Sequence, residues 1–313
     1  MEQNYFFIPS ILDQCSDMTM IFKNNRFIEV KEAFIREIAQ LYNHEEALFL
    51  FRIFFEEVSG YDYSSFQMQR EARLSESVLR DLIYVVDDLK TARPWQQIMG
   101  YTEFCGMKIR VEPAVLIPRP ETEELVLKVA DKIRTIQRLD GDAGPGFSML
   151  DACTGSGAIA LALKSFFPQA AVYAFDKHEA ALAVAERNAL ELKLDVVFRK
   201  ADLLEPPSDW PAVDLLISNP PYVRDAERAQ MHPNVLQHEP PSALFVPDND
   251  PLLYYRALAD WALQLLKPGG CLAVEINEAL AADTSNLLSS FGFTDMCVEK
   301  DFRGKDRFII AYQ

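Results

Sequence analysis

Glycine and positive charge are both scarce in this sequence. Only 12 of the 313 residues are glycine, against a usual share of roughly 7 %, so each glycine is expected where the backbone needs its conformational freedom. Lys and Arg number 31 and Asp and Glu 47, which gives a net charge of −16. Because a phosphate backbone or an anionic membrane surface is bound by clustered Lys and Arg, we expect neither stable nucleic-acid binding nor membrane association.

The sequence also lacks a Cys-x-x-Cys pair and a long apolar run. Its cysteines number five, an odd count that disfavours a disulfide framework, and without paired spacing no structural zinc or other metal is expected. The first ten residues do not have the basic and apolar segments of a signal peptide. No apolar run approaches the ~18 residues of a membrane span. We expect a soluble, cytoplasmic protein, and a monomer.

Helical periodicity dominates the first third of the chain. Apolar side chains recur at helical spacing from Glu29, and two further helices are predicted over about 44–58 and 75–90. No strand pattern interrupts them. We interpret residues 1–92 as a small helical bundle, and residues 1–28 show no readable pattern.

The pattern changes at Arg93. Two short alternating segments around Gly106 predict a β-hairpin within a linker of residues 93–118. Beyond residue 119, predicted strands alternate with predicted helices. The strands are 148–153, 171–176, 195–201, 213–218, 270–276, 294–300 and 306–312, and the helices are 157–166, 178–192, 251–267 and 279–291. This alternation is typical of an α/β domain with a mainly parallel, doubly wound sheet, here over residues 119–313.

A glycine turn is predicted between the first strand of this sheet and the next helix. In Leu150-Asp-Ala-Cys-Thr-Gly-Ser-Gly157, two glycines allow a ligand to approach the backbone beside the free N–H groups of a helix N-terminus. Asp176 and Asp202 end the next two strands, where carboxylates can accept from a ribose and from an adenine amino group. The turn lacks a P-loop lysine and a full G-x-G-x-x-G. A nucleoside with a small charged tail is therefore favoured, although each Asp taken singly is also typical of a solvated turn.

The fourth strand is predicted to end in Ser218-Asn-Pro-Pro-Tyr222. The two prolines make the turn rigid and remove N–H donors. The side-chain oxygen of Asn219 and the carbonyl of Pro220 remain as acceptors beside the ring of Tyr222. Such a site suits a planar NH2 group, because binding both hydrogens leaves the nitrogen lone pair directed at an electrophile. Positioning and desolvation are then the means of catalysis.

These segments resemble the S-adenosylmethionine-dependent methyltransferases of the Rossmann-like class, and more narrowly the release-factor glutamine N5-methyltransferases (the PrmC/HemK family). The resemblance covers residues 93–312. It rests on the segments Pro94–Gly106, Val115–Glu123, Thr154–Ala160, Ser218–Tyr222, Glu239–Leu244, Lys267–Gly270 and Arg303–Arg307. The Ile-Pro-Arg-Pro-Glu-Thr-Glu sequence within Val115–Glu123 is more specific to this family than the Asn-Pro-Pro-Tyr turn, which other amino-methylating enzymes share.

The resemblance implies a seven-stranded methyltransferase domain and a set of roles. The cofactor S-adenosyl-L-methionine, with S-adenosyl-L-homocysteine as product, would be bound by Cys153, Thr154, Gly155, Ser156, Gly157, Asp176, Asp202, Leu203 and Asn219. The catalytic residues would be Asn219, Pro220 and Tyr222. These three would also contact the substrate, together with Pro221, Phe104, Arg119 and Glu123. The substrate would be the glutamine of the Gly-Gly-Gln motif in peptide chain release factors, which the helical domain would dock.

Two other functions are compatible with the same motifs. Amino-methylation of an adenine or guanine base in DNA or RNA would use the same turn with the base rotated out of its stack. The charge of −16 and the absence of a basic arm disfavour it. A non-catalytic protein that kept the cofactor fold is also conceivable, but the intact Asn219-Pro-Pro-Tyr222 turn disfavours it.

Two residues depart from the family pattern. Cys153 stands where glycine is usual, which puts close cofactor contact at that position in question. A small buried residue is favoured there over a reactive thiol. Asn277 replaces the glycine that usually follows Ile276, and we expect this change to affect only a turn.

Overall fold

The computed structural model describes residues 21–69, 71–137 and 146–313, and the chain divides into two compact units. Of the described residues, the helical unit contains those up to Gly100 together with Pro233–His238, and the sheet unit contains those of Tyr101–His232 and Glu239–Gln313. The unreadable start of the sequence falls largely on residues 1–20, outside the described residues. The predicted hairpin lies in the sheet unit. The predicted domain boundaries after residues 92 and 118 stay predictions.

The helical unit is an aromatic-cored bundle. Its helices are α1 (Phe27–Ile38), α2 (His44–Ser59), α3 (Tyr63–Gln67), α4 (Glu76–Lys90), α5 (Trp95–Met99) and, from later in the chain, α9 (Pro233–His238). Asn43 begins α2 with a capping box, in which its side chain and that of Glu46 each accept from the other's backbone N–H. Phe27 and Phe55 pack in the core with ring centroids 5.1 Å apart. The three predicted helices are confirmed, whereas α3 and α5 are too short to show periodicity.

The sheet unit begins with the predicted hairpin, β1 (Tyr101–Phe104) and β2 (Met107–Arg110). Phe104 pairs with Met107 across the turn. Gly106 has φ of +73°, the left-handed conformation that glycine adopts without strain. Helix α6 (Pro120–Gln137) then begins at its proline, where the missing N–H costs no intrahelical hydrogen bond.

A seven-stranded sheet forms the centre of this unit. Its strands are β3 (Ser148–Ala152), β4 (Ala171–Asp176), β5 (Val197–Lys200), β6 (Val213–Ser218), β9 (Leu266–Glu275), β10 (Thr294–Lys300) and β11 (Asp306–Tyr312). They are arranged in the order β10-β11-β9-β6-β3-β4-β5. Strand β11 is antiparallel to both of its neighbours, and the remaining pairs are parallel. The predicted mainly parallel sheet, with an antiparallel strand from the terminal hairpin, is confirmed.

Helices cover both faces of the sheet. They are α6, α7 (Ala158–Phe166), α8 (Glu179–Leu192), α10 (Leu253–Leu265) and α11 (Ala281–Ser290). Neighbouring residues of β3 point to opposite faces: Met149 packs in one apolar cluster with Leu163 of α7, and Leu150 in another with Leu258 of α10. Two packed layers of this kind are what a doubly wound sheet requires. In the described ranges, no helix is both long and apolar enough to cross a bilayer.

Two details of the sheet unit were not predicted. Strands β7 (Val223–Arg224) and β8 (Phe245–Val246) form a two-residue parallel ladder, too short to show alternation. Strand β9 begins at Leu266 rather than at residue 270. Gly270 is required within it, because a Cβ there would lie 2.9 Å from the carbonyl oxygen of Lys267.

Candidate active site

A cavity open to solvent lies at the carboxyl ends of the central strands. The chain proceeds from β3 outward through β4 and β5 on one side, and through β6 and β9 on the other. The crevice between β3 and β6 is therefore a topological switch point, where open α/β sheets bind ligands. The structure brings seven of the predicted site residues to this cavity: Cys153, Gly155, Asp176, Asp202, Leu203, Asn219 and Pro221.

The glycine turn after β3 needs both of its glycines. Gly155 and Gly157 have φ of +55° and +83°, which favour glycine. A Cβ on Gly157 would lie 3.1 Å from the Cβ of Ala185, so the absent side chain also lets the turn approach α8. A Cβ on Gly155 would meet no atom within 4 Å. Because Gly155 lines the cavity, its backbone faces open space that a ligand can fill.

Asp176 holds the turn and still faces the cavity. One of its carboxylate oxygens accepts from the N–H of Gly155 at 3.0 Å, and the other from the N–H of His178 at 3.0 Å. Each carboxylate oxygen has a second acceptor site, which remains available for hydroxyl groups of a ligand. Asp202 is arranged similarly, since its Oδ1 accepts from the N–H of Leu204 at 3.0 Å.

Asp151 supports the same turn from beneath, although no sequence motif predicts a role for it. Its side chain is fully buried, and Oδ2 accepts from the Thr154 hydroxyl at 2.5 Å and from the Ala160 N–H at 3.2 Å. Within the described part of the chain, Oδ1 has no hydrogen-bond partner. Burial raises the pKa of Asp151 to about 7, and the charge of Asp176 adds to the shift. An acid at the end of an apolar strand was the signal that could have identified it.

Ser156 belongs to the turn's interior rather than to the cavity wall. It is 3 % exposed, and its carbonyl accepts from the side-chain amide of Asn188 at 2.9 Å. The same amide group pairs with the backbone N–H and C=O of Arg110, at 2.8 and 3.1 Å. A buried asparagine on α8 thus ties the glycine turn to the hairpin.

Asn219 stands at the end of β6, on the opposite wall of the cavity. The Ser218 hydroxyl fixes this strand end by donating to the carbonyl of Ala152 at 2.7 Å. The Asn219 side-chain nitrogen donates to the Thr122 hydroxyl at 2.9 Å. Among the described residues, Asn219 Oδ1 makes no hydrogen bond, so it is available to a donor in the cavity.

The prolines and tyrosine of this turn differ in their surroundings. Pro220 is buried, and Pro221 lines the cavity. The Tyr222 hydroxyl donates to Glu275 Oε1 at 2.8 Å. Burial raises the pKa of Tyr222 well above its usual value, and the Glu275 carboxylate raises it further. The hydroxyl therefore keeps its proton and acts as a fixed donor.

Pro220 and Tyr222 do not line the cavity, and neither do the three remaining predicted substrate residues, Phe104, Arg119 and Glu123. Phe104 is 1 % exposed and lies in the apolar core. Arg119 donates to Glu239 at 2.6 Å, and Glu239 also accepts from the Ile117 N–H at 3.1 Å. Glu123 is half-buried on α6. Their contact with substrate stays a prediction.

Several residues that line the cavity were not predicted from the sequence. Leu116 and Pro240 line it from two segments that the Arg119–Glu239 ion pair joins, and Tyr254 lines it from α10. The Glu239 side chain of this pair is 1 % exposed and the Arg119 side chain 30 %, so the pair is a partly buried clasp between the two segments. Local sequence patterns carry no signal for such contacts.

Cys153 has a backbone conformation that favours glycine. Its φ is +60°, a left-handed conformation that costs a residue with a Cβ roughly 1–2 kcal/mol. Burial, and then the nearby carboxylates of Asp176, Asp151 and Asp202, raise the pKa of its thiol. The thiol therefore stays protonated, which favours a packing role over a reactive one.

Replacing Cys153 by glycine is expected to stabilise the protein. Glycine adopts the same φ without strain, and the greater freedom of the unfolded chain offsets part of the gain, leaving about 1 kcal/mol. Thermal unfolding should show a Tm a few degrees higher. Cys271→Gly, within β9, is the matched control and should lower Tm. A Tm for Cys153→Gly at or below that of the wild type would contradict this account.

Asn277 forms the expected turn and also contacts the turn that contains Tyr222. Its side-chain oxygen accepts from the Ala279 N–H at 3.0 Å, which begins a short 3₁₀ helix. Its side-chain nitrogen donates to the Tyr222 carbonyl at 3.2 Å and to Glu227 at 2.9 Å. The effect of this residue is thus wider than the turn that we expected it to change.

Comparison with known proteins agrees with this geometry. Residues 136–244 match the family model of the methyltransferase small domain. The release factor glutamine methyltransferase of Bacteroides thetaiotaomicron is 40 % identical over 281 residues, covering 89 % of this chain and 98 % of the relative. That of Flavobacterium psychrophilum is 36 % identical over 293 residues, covering 93 % and 98 %.

Among solved structures, the hMettl16 catalytic domain in complex with MAT2A 3′UTR hairpin 6 has a TM-score of 0.50 at 16 % identity. The similarity covers 66 % of this chain and 76 % of that one, and it bears on the fold alone. These two release factor glutamine methyltransferases are matched over nearly their whole length. This chain belongs to the release factor glutamine methyltransferase family.

Proposed function

We propose that this protein transfers a methyl group from S-adenosyl-L-methionine to the side-chain amide nitrogen (N5) of the glutamine in the Gly-Gly-Gln motif of peptide chain release factors. One observation carries the proposal: Asn219, Asp176 and Asp202 line the same cavity. Acceptors suited to an amide thus face acceptors suited to a nucleoside across a single space. Family membership supplies the substrate class.

The cavity fits the cofactor in its lining and in charge. Gly155 lines the cavity and leaves its backbone open toward that space. Asp176 would hold the ribose hydroxyls, and Asp202 with Leu203 would flank the adenine. The carboxylates at these strand ends favour a ligand that carries positive charge. When bound, S-adenosylmethionine supplies an electrophilic methyl group on a positively charged sulfur.

The chain's own residues would orient the substrate amide. Asn219 Oδ1 and the Pro220 carbonyl would accept its two hydrogens, which fixes the NH2 plane and directs the nitrogen into the cavity. An amide nitrogen is a weak nucleophile because its lone pair is delocalised, so orientation and exclusion of water are what the site contributes. Tyr222 would pack beside the amide without exchanging protons, since its hydroxyl is committed to Glu275.

We also propose that the substrate is a protein rather than a nucleic acid, bound in the cytoplasm with the helical unit as its docking module. The net charge of −16 opposes contact with a phosphate backbone. Both of the relatives described above bear the name of a release factor enzyme.

The test is a transfer assay with methyl-labelled S-adenosylmethionine. The acceptors are a release factor, the same factor with its loop glutamine replaced by alanine, and mixed DNA and RNA, each in a separate reaction. We expect label in the intact factor only, with mass spectrometry placing the methyl group on the loop glutamine. Label in nucleic acid, label in the alanine variant or label in no acceptor would each overturn the proposal.

A further inference from the structure

We infer that Thr122 is a positioning residue, which holds the Asn219 side-chain amide with its nitrogen toward the protein and its oxygen toward the cavity. Its hydroxyl lies between two partners: it donates to Glu275 Oε2 at 2.7 Å and accepts from Asn219 Nδ2 at 2.9 Å. This inference rests on the proposed function only in its consequence for catalysis. The orientation itself can be measured without a substrate.

The direction of these hydrogen bonds follows from the donors available. A carboxylate can only accept, and a threonine hydroxyl has one proton. Since that proton is given to Glu275, the hydroxyl oxygen can only accept from its other neighbour. Of the two ends of the Asn219 amide, only the nitrogen can donate. The oxygen must therefore face the other way, where the cavity lies.

Burial makes the alternative orientation costly. Thr122 is 4 % and Glu275 1 % exposed, so water does not supply a substitute donor. If Asn219 rotated by half a turn, its oxygen would meet the Thr122 oxygen, and relief would require Thr122 to release Glu275. A buried carboxylate oxygen would then lose its donor, which is more unfavourable than the loss of a hydrogen bond at the surface.

Glu275 serves both ends of the catalytic turn. Its Oε2 accepts from Thr122 and its Oε1 from Tyr222 at 2.8 Å. One buried carboxylate on β9 thus orients, directly or through Thr122, two side chains of the Asn219-Pro-Pro-Tyr222 turn. Thr122 does not line the cavity, so its effect on a reacting amide passes through Asn219.

Thr122→Val, which removes the hydroxyl and keeps the shape, is expected to lower kcat by roughly 10- to 100-fold, because a reacting group is no longer held in place. The cofactor Kd should stay within about twofold, since the substitution lies outside the cavity wall. Thr122→Ser restores the hydroxyl and should recover most of kcat. Thr122→Ala should behave as Thr122→Val does.

One measurement needs no methyl acceptor: the NMR signal of the Asn219 side-chain NH2 group. This signal is assigned by its disappearance in Asn219→Ala. In the wild type and in Thr122→Ser its hydrogens should exchange slowly, and in Thr122→Val at least ~10-fold faster. Thr284→Val is the matched control: Thr284 is fully buried on α11, and among the described residues its hydroxyl has no partner. That control should change neither kcat nor the Asn219 exchange rate.

Three results would overturn the inference. They are an unchanged Asn219 exchange rate in Thr122→Val, a serine variant no more active than the valine one, and a fall in kcat matched by an equal loss of cofactor affinity. If the wild type methylated no release factor, the proposed function would fail, and the exchange measurement would still decide the orientation of Asn219.

Discussion

Asn219→Ala is expected to lower the rate of methyl transfer by roughly 100- to 1000-fold, the usual effect of removing one preorganised hydrogen-bonding group from a reaction centre. The substitution deletes the Oδ1 acceptor on the cavity wall and the contact with Thr122 at 2.9 Å. The substrate amide then keeps only the Pro220 carbonyl as an acceptor and can rotate. Single-turnover assays with saturating cofactor measure the transfer step directly.

Cofactor binding separates this expectation from general damage to the fold. Asp176, Asp202 and the glycine turn lie on other strand ends, so the Kd for S-adenosyl-L-homocysteine should remain within a few fold of the wild type. Asn286→Ala removes the same side chain from an exposed position of α11 and should leave both quantities unchanged. Turnover of Asn219→Ala within tenfold of the wild type would refute the assigned role. A tenfold lower rate corresponds to an activation free energy higher by only about 1.4 kcal/mol.

Asp176→Ala is expected to weaken cofactor binding by at least ~100-fold. Hydrogen bonds to a charged acceptor contribute about 1.5–3 kcal/mol each, and two ribose hydroxyls would lose theirs together. The variant also leaves the Gly155 and His178 N–H groups without the acceptor they now share, which loosens the turn. Calorimetric titration with S-adenosyl-L-homocysteine gives the affinity without any methyl acceptor.

Glu179→Ala provides the matched control for Asp176. Glu179 is an exposed acid three residues further along the chain, paired with Lys200 at 2.8 Å, and its removal changes the net charge by the same amount. The control should alter the affinity by less than about twofold, because an exposed charge is screened. An equal loss of cofactor affinity in both variants would show that only the overall electrostatic field matters and that Asp176 makes no specific contact with the cofactor.

The fold class could be predicted from the sequence because its signals are local. Strand and helix periods alternate over residues 148–291, and such alternation leads to a parallel sheet whose strand ends share one edge. Asp176, Asp202 and Asn219 each follow a predicted strand, so their meeting at one cavity followed from the fold class. The short helices α3 and α5 and the β7–β8 ladder gave no such signal, since two to five residues do not establish a period.

The sequence by itself thus determined the architecture, the edge of the sheet at which the cavity lies and the family to which the motifs belong. Only the tertiary structure decided which way the Asn219 amide faces, because Asn219 and its partner Thr122 are 97 residues apart in the chain, and Thr122 and its partner Glu275 are 153 apart. The same is true of the Arg119–Glu239 clasp, whose residues are 120 apart. The strand order, which places β6 next to β9, brings Asn219 at the end of β6 close to Glu275 at the end of β9. Hydrogen-bond directions depend on that three-dimensional neighbourhood and on burial, which residue spacing along the chain does not encode.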